Sequence, residues 1–332
     1  MSYRLFKRKE AAVVRPNLEG RLALALQGGG AFGAFTWGVL DRILEAPDVS
    51  ANAVSGASAG AINAVLLADG LRERGIDGAR EKLSRFWTTI AKDTSSIFLP
   101  RASLIDLSSR VLSPYQLNPF NLNPLREALE EAVDFAALRQ KSPRKLFISA
   151  TRVSDGTVRI FREHEVSVDV VLASACLPML HQAVEIDGES YWDGGYGANP
   201  PLLPLIEEND AERLLLVQLI PTSGDDHPTT SSGIIQRLNQ ITFNTSLQRD
   251  LEAIAALQRL TEEGGAKSES ARRIKSLIID HISAEDWYPD LKRQSALNLN
   301  RSFITGMHDA GRTAASAWLG VDEPSLPVQA AE

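Results

Sequence analysis

This chain is short of cysteine, of long apolar runs and of net positive charge, and each shortage removes a class of protein. A single cysteine, Cys176, in 332 residues excludes an internal disulfide framework and fits a reducing compartment. No stretch approaches about 18 uninterrupted apolar residues, so no membrane-spanning helix is expected. The first twenty residues carry Arg4, Lys7, Arg8, Lys9 and Arg15 with no apolar run behind them, which is unlike a secretory signal. A formal net charge of -7 argues against nucleic acid as a partner, because phosphate binding needs a concentrated basic face. What remains, 44% hydrophobic and 23% charged, is a globular composition with enough chain for a sizeable core. The expectation is a soluble cytoplasmic protein. Residues 1–20 read as a basic arm, either a solvated terminus or a peripheral contact with an anionic membrane surface, and residues 321–332 as a tail.

Between those ends, apolar runs alternate with helical patterns. Leu22 to Leu26, Ala51 to Val54, Lys145 to Thr151, Val158 to Phe161, Ala183 to Ile186, Leu214 to Ile220 and Ser276 to His281 read as strands. Ala34 to Glu45, Ala59 to Leu71, Val168 to Ala175, Ile234 to Leu260 and Ser302 to Leu319 read as helices. The order strand, glycine turn, helix, strand, serine turn, helix predicts an α/β fold with a mostly parallel central sheet flanked by helices. No repeat or linker divides residues 21–320, so one domain is expected, with 221–320 its more helical part. Residues 96–124, punctuated by Pro100, Pro114, Pro119 and Pro124, are either a lid or substrate wall or an irregular segment packed on the core. Trp87, Phe98, Leu99, Tyr115 and Phe120, in or beside this insertion, are candidates for acyl-chain or membrane contact, with core filling as the alternative.

Three glycine-rich signatures carry the chemistry. Gly56-Ala57-Ser58-Ala59-Gly60 matches G-x-S-x-G, in which small neighbours let a strand turn sharply into a helix and expose the serine. Ser58 would then sit at a helix N-terminus, where free N–H groups favour developing negative charge. Gly28-Gly29-Gly30 also follows a strand and opens a helix, leaving peptide N–H groups free to meet a substrate oxygen. The same glycines with Gly33 fit a dinucleotide fingerprint, with Asp48 as its acidic partner. That residue, however, precedes the second strand instead of closing it. Asp193 stands between Trp192 and Gly194-Gly195, on a turn from which a carboxylate could act as a base. Five histidines, His164, His181, His227, His281 and His308, are the pool for a Ser-His-Asp triad. His281 and His308 keep the chain order Ser, Asp, His at a predicted strand end and in a predicted helix.

Together these blocks resemble the patatin-like phospholipase family over about residues 21–220. RLALALQGGGAFGAF resembles its first strand and oxyanion loop, and VSGASAGAINA its nucleophile elbow. ASACLP at 173–178 resembles its Ala-Ser-x-x-x-Pro block, and DGGYGANPP at 193–201 the loop bearing its second catalytic residue. The resemblance implies a patatin-like three-layer architecture and a Ser58–Asp193 dyad without histidine. It implies oxyanion donors on Gly28, Gly29 and Gly30, and cleavage of lipid carboxylic esters through an acyl-enzyme, with no metal or organic cofactor. Phe32 stands where the family's loop commonly carries Arg or Lys. A phenyl ring there would contact substrate without supplying a charge for phosphate, so neutral esters are expected to serve at least as well as phospholipids. A Ser-His-Asp carboxylesterase, a polyester depolymerase and a dinucleotide-binding protein are the alternatives.

Overall fold

The computed structural model describes residues 18–92, 113–224, 227–265 and 268–321. Phe98, Leu99, most of the basic arm and most of the tail lie outside them. One sheet gathers eight strands: β1 (Leu18–Leu26), β2 (Val49–Gly56), β3 (Lys145–Arg152), β4 (Val158–Arg162), β5 (Val184–Ile186), β6 (Glu189–Asp193), β7 (Arg213–Gln218) and β8 (Ile278–Ser283). The path of pairings runs β5-β6-β3-β2-β1-β7-β8, with β4 also on β3. From β3 to β8 the neighbours are parallel. The pairings of β4, β5 and β6 are antiparallel. The fold is therefore α/β with a mostly parallel sheet.

Helices cover both faces. The described helices are α1 (Gly33–Leu44), α2 (Ala59–Lys92), α3 (Pro114–Leu117), α4 (Pro124–Ala132), α5 (Phe135–Gln140), α6 (Val168–Ser174), α7 (Leu203–Glu207), α8 (Ser231–Gly264), α9 (Glu269–Ser276) and α10 (Arg301–Leu319). The strand period of two explains the layering. Leu22, Leu24 and Leu26 of β1 enter one core with α1, α2 and α10. Ala23 and Ala25, which alternate with them, enter the other with Leu205 of α7 and Leu247 and Ile254 of α8. Helix α2 is two helices end to end, because Arg74 and Gly75 leave helical geometry. Its first part, AGAINAVLLADG, is buried all round, as an apolar helix under other layers must be.

The hairpin of β5 and β6 turns on Asp187-Gly188, both with positive φ (54° and 80°). That is the demand of a two-residue primed turn, which Asp-Gly meets at low cost. Its position decides the site. Phe147 and Ile148 of β3 pair with both β2 and β4, and Ala150 and Thr151 with both β4 and β6. A strand has two edges, so β2 and β6 share one edge of β3 and β4 takes the other. Strand β2 ends opposite Ile148, and β6, running the opposite way, ends opposite Ala150. The two strand ends thus meet head to head, two residues apart along β3, or roughly 7 Å.

Candidate active site

Ser58 lies just beyond the end of β2, with φ at 52°, a left-handed conformation that costs a side-chain-bearing residue about 1–2 kcal/mol. Close packing holds it there. A Cβ on Gly60 would come 2.0 Å from the Leu26 carbonyl oxygen, and one on Gly56 would come 2.5 Å from the Gly60 backbone. Only glycines let α2 start this close to β1 and β2. The Ser58 N–H donates to Ser174 Oγ at 2.9 Å, which ties the elbow to the end of α6. Ala59 opens α2, placing the positive end of its first half beside the serine.

Asp193 ends β6 and is completely buried. Its N–H donates to the Cys176 carbonyl at 2.9 Å, and Thr151 Oγ1 donates to its carbonyl at 2.8 Å. Its Oδ1 accepts the Gly195 N–H at 2.7 Å, while Oδ2 is buried without a hydrogen-bond partner. Burial pushes the carboxyl up to about 7, against lowering by the Gly195 N–H and by the neighbouring Ser58 hydroxyl. The hydroxyl is thus close enough to act on the carboxylate, without a hydrogen bond of normal geometry to Oδ2. Contacts of this kind commonly tighten only when substrate is bound. The same setting raises its neighbours: burial, then the Asp193 charge, pushes the Cys176 thiol and the Tyr196 hydroxyl up to about 12. One segment, Ser174 to Cys176, therefore anchors both Ser58 and Asp193.

The glycine loop approaches from β1. A Cβ on Gly28 would meet the Ala57 carbonyl at 2.7 Å and Ser58 Cβ at 2.8 Å, so this loop touches the serine. The Gly28 N–H, expected to face substrate, instead donates to Asn199 Oδ1 at 2.7 Å, and this corrects the set of three glycine donors. No described residue accepts the N–H of Gly29, Gly30 or Ala59. Asn199 is fully buried, and its Nδ2 donates to the Phe243 carbonyl at 3.0 Å, binding the loop to α8. Gln27 completes the brace. Its Oε1 accepts the N–H groups of Leu219 and Ile220 at 2.7 and 2.8 Å, and its Nε2 donates to Asn244 Oδ1 at 3.0 Å. Asn199, Ser174 and Gln27 brace this cluster by hydrogen bonds, and Ala59 borders it. All four lie inside motifs that single out other residues.

The remaining candidates fall apart from this cluster. Phe32 is 4% exposed and meets the Phe303 ring edge-on at 6.0 Å; it packs against α10 instead of facing substrate. Trp87 is buried, its Nε1 donating to Asn63 Oδ1 at 2.9 Å. Tyr115 and Phe120 are exposed, and the Tyr115 hydroxyl accepts the Ala183 N–H at 3.3 Å. His281 pairs with Leu216 in mid-strand on β8, three strands from β2, or about 14 Å. His308 stacks on Trp37 at 3.9 Å and lies 3.5 Å from Asp41, a residue of α1. Gly195 and Ser58 are the groups acting on the Asp193 carboxyl, and no histidine is among them. Asp48 precedes β2, whose carboxyl end is taken by Gly56 and the elbow, against the geometry of a dinucleotide site. Among the described residues no group of three or more His, Cys, Asp or Glu gathers as metal ligands, and no helix is long and apolar enough to cross a membrane.

Known proteins resemble this chain in the region of these blocks. The family model described as patatin-like phospholipase matches residues 24–206. The uncharacterized protein YjjU of Escherichia coli (strain K12) is 29% identical over 211 residues, 63% of this chain and 55% of YjjU. The match thus spans little more than half of that relative. Among solved structures, VipD from Legionella pneumophila aligns over 91% of this chain and 67% of its own, at 16% identity and a TM-score of 0.44. The ExoU-SpcU complex from the type III secretion system of Pseudomonas aeruginosa contains a chain that aligns over 93% of this one and 53% of itself. There the identity is 14% and the TM-score 0.39.

Proposed function

Because this chain belongs to the patatin-like phospholipase family, we propose that it is a lipid acyl hydrolase whose nucleophile is Ser58 and whose base is Asp193. The single observation that carries this reading is the buried Asp193 carboxyl, raised to about 7, with Oδ2 unpaired and the Ser58 hydroxyl beside it. Near neutral pH such a carboxylate is basic enough to take the serine proton. Ser58 Oγ bonds to the ester carbonyl carbon as its proton passes to Asp193 Oδ2, and the carbonyl oxygen becomes an oxyanion. The unpaired N–H groups of Gly29, Gly30 and Ala59 are its donors, aided by the N-terminus of α2. The carbon–oxygen bond of the alcohol then breaks, and Asp193 returns the proton to the departing alkoxide. That leaves an acyl-serine. Water, losing a proton to the same carboxylate, attacks the acyl carbon and releases the acid, restoring Ser58. Atoms balance as ester plus water giving acid plus alcohol.

Labelling with a fluorophosphonate tests the assignment. Wild type is expected to label, Ser58→Ala not at all, and Asp193→Asn far more slowly; label retained on Ser58→Ala would put the nucleophile elsewhere. The glycine loop offers no cation at position 32, since Phe32 is turned into the core. Neutral esters are therefore expected to be cleaved at least as fast as phospholipids. Comparing a monoacylglycerol, a nitrophenyl ester and a phospholipid decides this, and a strong preference for the phospholipid would reverse it.

A further inference from the structure

A helix lying on a protein normally turns its apolar stripe inward and its polar face to water. The first half of α8 does the opposite. Its inward residues include Gln240 and Asn244, 9% and 4% exposed, whereas Ile234, Ile235, Leu238 and Ile241 are 43%, 42%, 56% and 49% exposed. Residues 234, 238 and 241 follow helical spacing and form one outward stripe. The inward polar residues have partners within the chain. Asn244 Nδ2 donates to the Pro221 carbonyl at 2.9 Å, Asn244 Oδ1 accepts from Gln27, and Gln240 accepts from Arg237 at 3.2 Å. The outward isoleucines and leucine have no such explanation.

Two further observations say what covers them. The first is place. Phe243, on the next turn, lies against the catalytic loop: a Cβ on Gly195 would be 2.4 Å from its ring, and its centroid is 5.0 Å from that of Tyr196. The second is charge. From His227 to Arg249 there is no Asp or Glu, although the whole chain carries -7. Arg249 is exposed within the stretch, Arg237 turns to the Thr222 carbonyl and Gln240, and Gln236 binds the carbonyl of Lys292 at 3.1 Å, bringing a further exposed cation alongside, two residues from Asp290. The exposed Arg249 and Lys292 beside this apolar stripe, with no acidic residue on the helix between 231 and 249, match the boundary of an anionic lipid layer. We propose that this face of α8 seats the protein on an anionic phospholipid surface and holds the Ser58–Asp193 site at the lipid boundary. The inference rests on the lipid-ester reading above, and it concerns the surface visited, not the ester cleaved.

Flotation with vesicles of phosphatidylglycerol and phosphatidylcholine in equal parts, and of phosphatidylcholine alone, tests it. Wild type and Ser58→Ala are both expected to float with the anionic vesicles, less at high salt, and weakly with the neutral ones. The combined Ile234→Glu, Leu238→Glu, Ile241→Glu variant is expected to lose at least about tenfold in vesicle binding. Its hydrolysis of a water-soluble nitrophenyl ester should stay within about twofold of wild type. The milder Leu238→Gln, which keeps the helix uncharged, should weaken binding in the same direction. Equal flotation of wild type and variants, or no flotation of wild type, overturns the proposal. So does sedimentation showing that wild type is a dimer dissolved by the glutamates, since the stripe would then face a second copy. An inactive wild type that still floats would instead sink the hydrolase reading and leave the surface standing.

Discussion

Replacing Asp193 by Asn should make the protein more stable at high pH and cut ester turnover sharply at every pH. The Asp193 carboxyl is pushed from 3.8 to about 7 by burial. A carboxyl whose pKa is higher folded than unfolded holds an extra proton in the native state throughout that interval. Stability then falls as pH rises, by about 1.4 kcal/mol per unit between the two values, and levels off above the folded pKa. Integrated from pH 5 to pH 8, the loss is about 3 kcal/mol for this one group. An amide in its place cannot ionise, so the variant lacks that slope. The amide would also retain a polar contact with the Ser58 hydroxyl.

The assay is urea unfolding of wild type and variant in parallel at pH 5, 6, 7 and 8. The difference between them cancels the other titrating groups, which are common to both. The variant should gain on wild type by about 3 kcal/mol from pH 5 to pH 8, with most of the change below pH 7. Over the same range wild-type kcat/KM should rise and level off above about 7, as the base form fills. A stability difference that does not change with pH would refute the reasoning. It would mean that Asp193 is ionised throughout and that burial does not set its basicity.

Other substitutions probe the supports of the site. Asn199→Ala strips the buried Gly28 N–H of its acceptor and should cost about 1–3 kcal/mol in urea unfolding, with slower ester hydrolysis as the loop loosens. Gly60→Ala puts a Cβ 2.0 Å from the Leu26 carbonyl oxygen and should lower stability by about 3 kcal/mol or prevent folding; an unchanged melting temperature would contradict the packing of α2 on β1. Ser58→Gly, relieved of a side chain at a φ of 52°, should be about 1 kcal/mol more stable than Ser58→Ala in thermal melts. His281→Ala and His308→Ala should each keep ester hydrolysis within about threefold of wild type, and collapse in either would restore a triad.

The parallel half of the fold was legible because its residues announce it. The apolar run from Leu22 to Leu26 reads as a buried strand, and the glycine and serine turns mark the ends of β1 and β2. The antiparallel hairpin was harder. Ala183 to Ile186 reads as a strand, but β6 is short, is interrupted by Ser190, and reads as a lead-in to the glycine turn. Asp187-Gly188 was the missed signal, a two-residue hairpin turn standing in plain view. The second half of α2 was hidden by Gly75 and Gly78, which look like the end of a helix and in part are one. At the candidate site, motifs single out Ser58 and Asp193, which the structure sets side by side, but they do not forecast the commitment of the Gly28 N–H to Asn199. It depends on a contact 171 positions away in the chain, and neither residue type forecasts which group it will meet. Phe32 misled for a related reason. Its place in the loop suggested an outward ring, while the packing of α10 through Phe303 drew it inward.

What a sequence least reveals is how basic a carboxylate will be, and the proposed chemistry turns on that. An aspartate of ordinary pKa is a poor base toward a serine hydroxyl, which is why hydrolytic serines more often lean on imidazole. Here burial supplies the missing basicity. The carboxylate sits inside the sheet, where β2 and β6 run into each other along β3, with one oxygen satisfied by Gly195 and the other unpaired. A second donor on Oδ2 would stabilise the anion and pull the pKa back toward the ordinary range, and solvent at that oxygen would do the same. The proposed base strength therefore requires Oδ2 to remain dry and unpaired until the serine proton arrives. Any substitution that opens a water path to it, such as truncating Cys176 or the buried Tyr191 of β6, should weaken catalysis by lowering the pKa of Asp193 even when Ser58 and Asp193 are untouched. The diagnostic is a pH–rate profile whose acidic limb moves below about 7 while its plateau drops; a lower plateau on an unmoved limb would assign the damage to geometry instead.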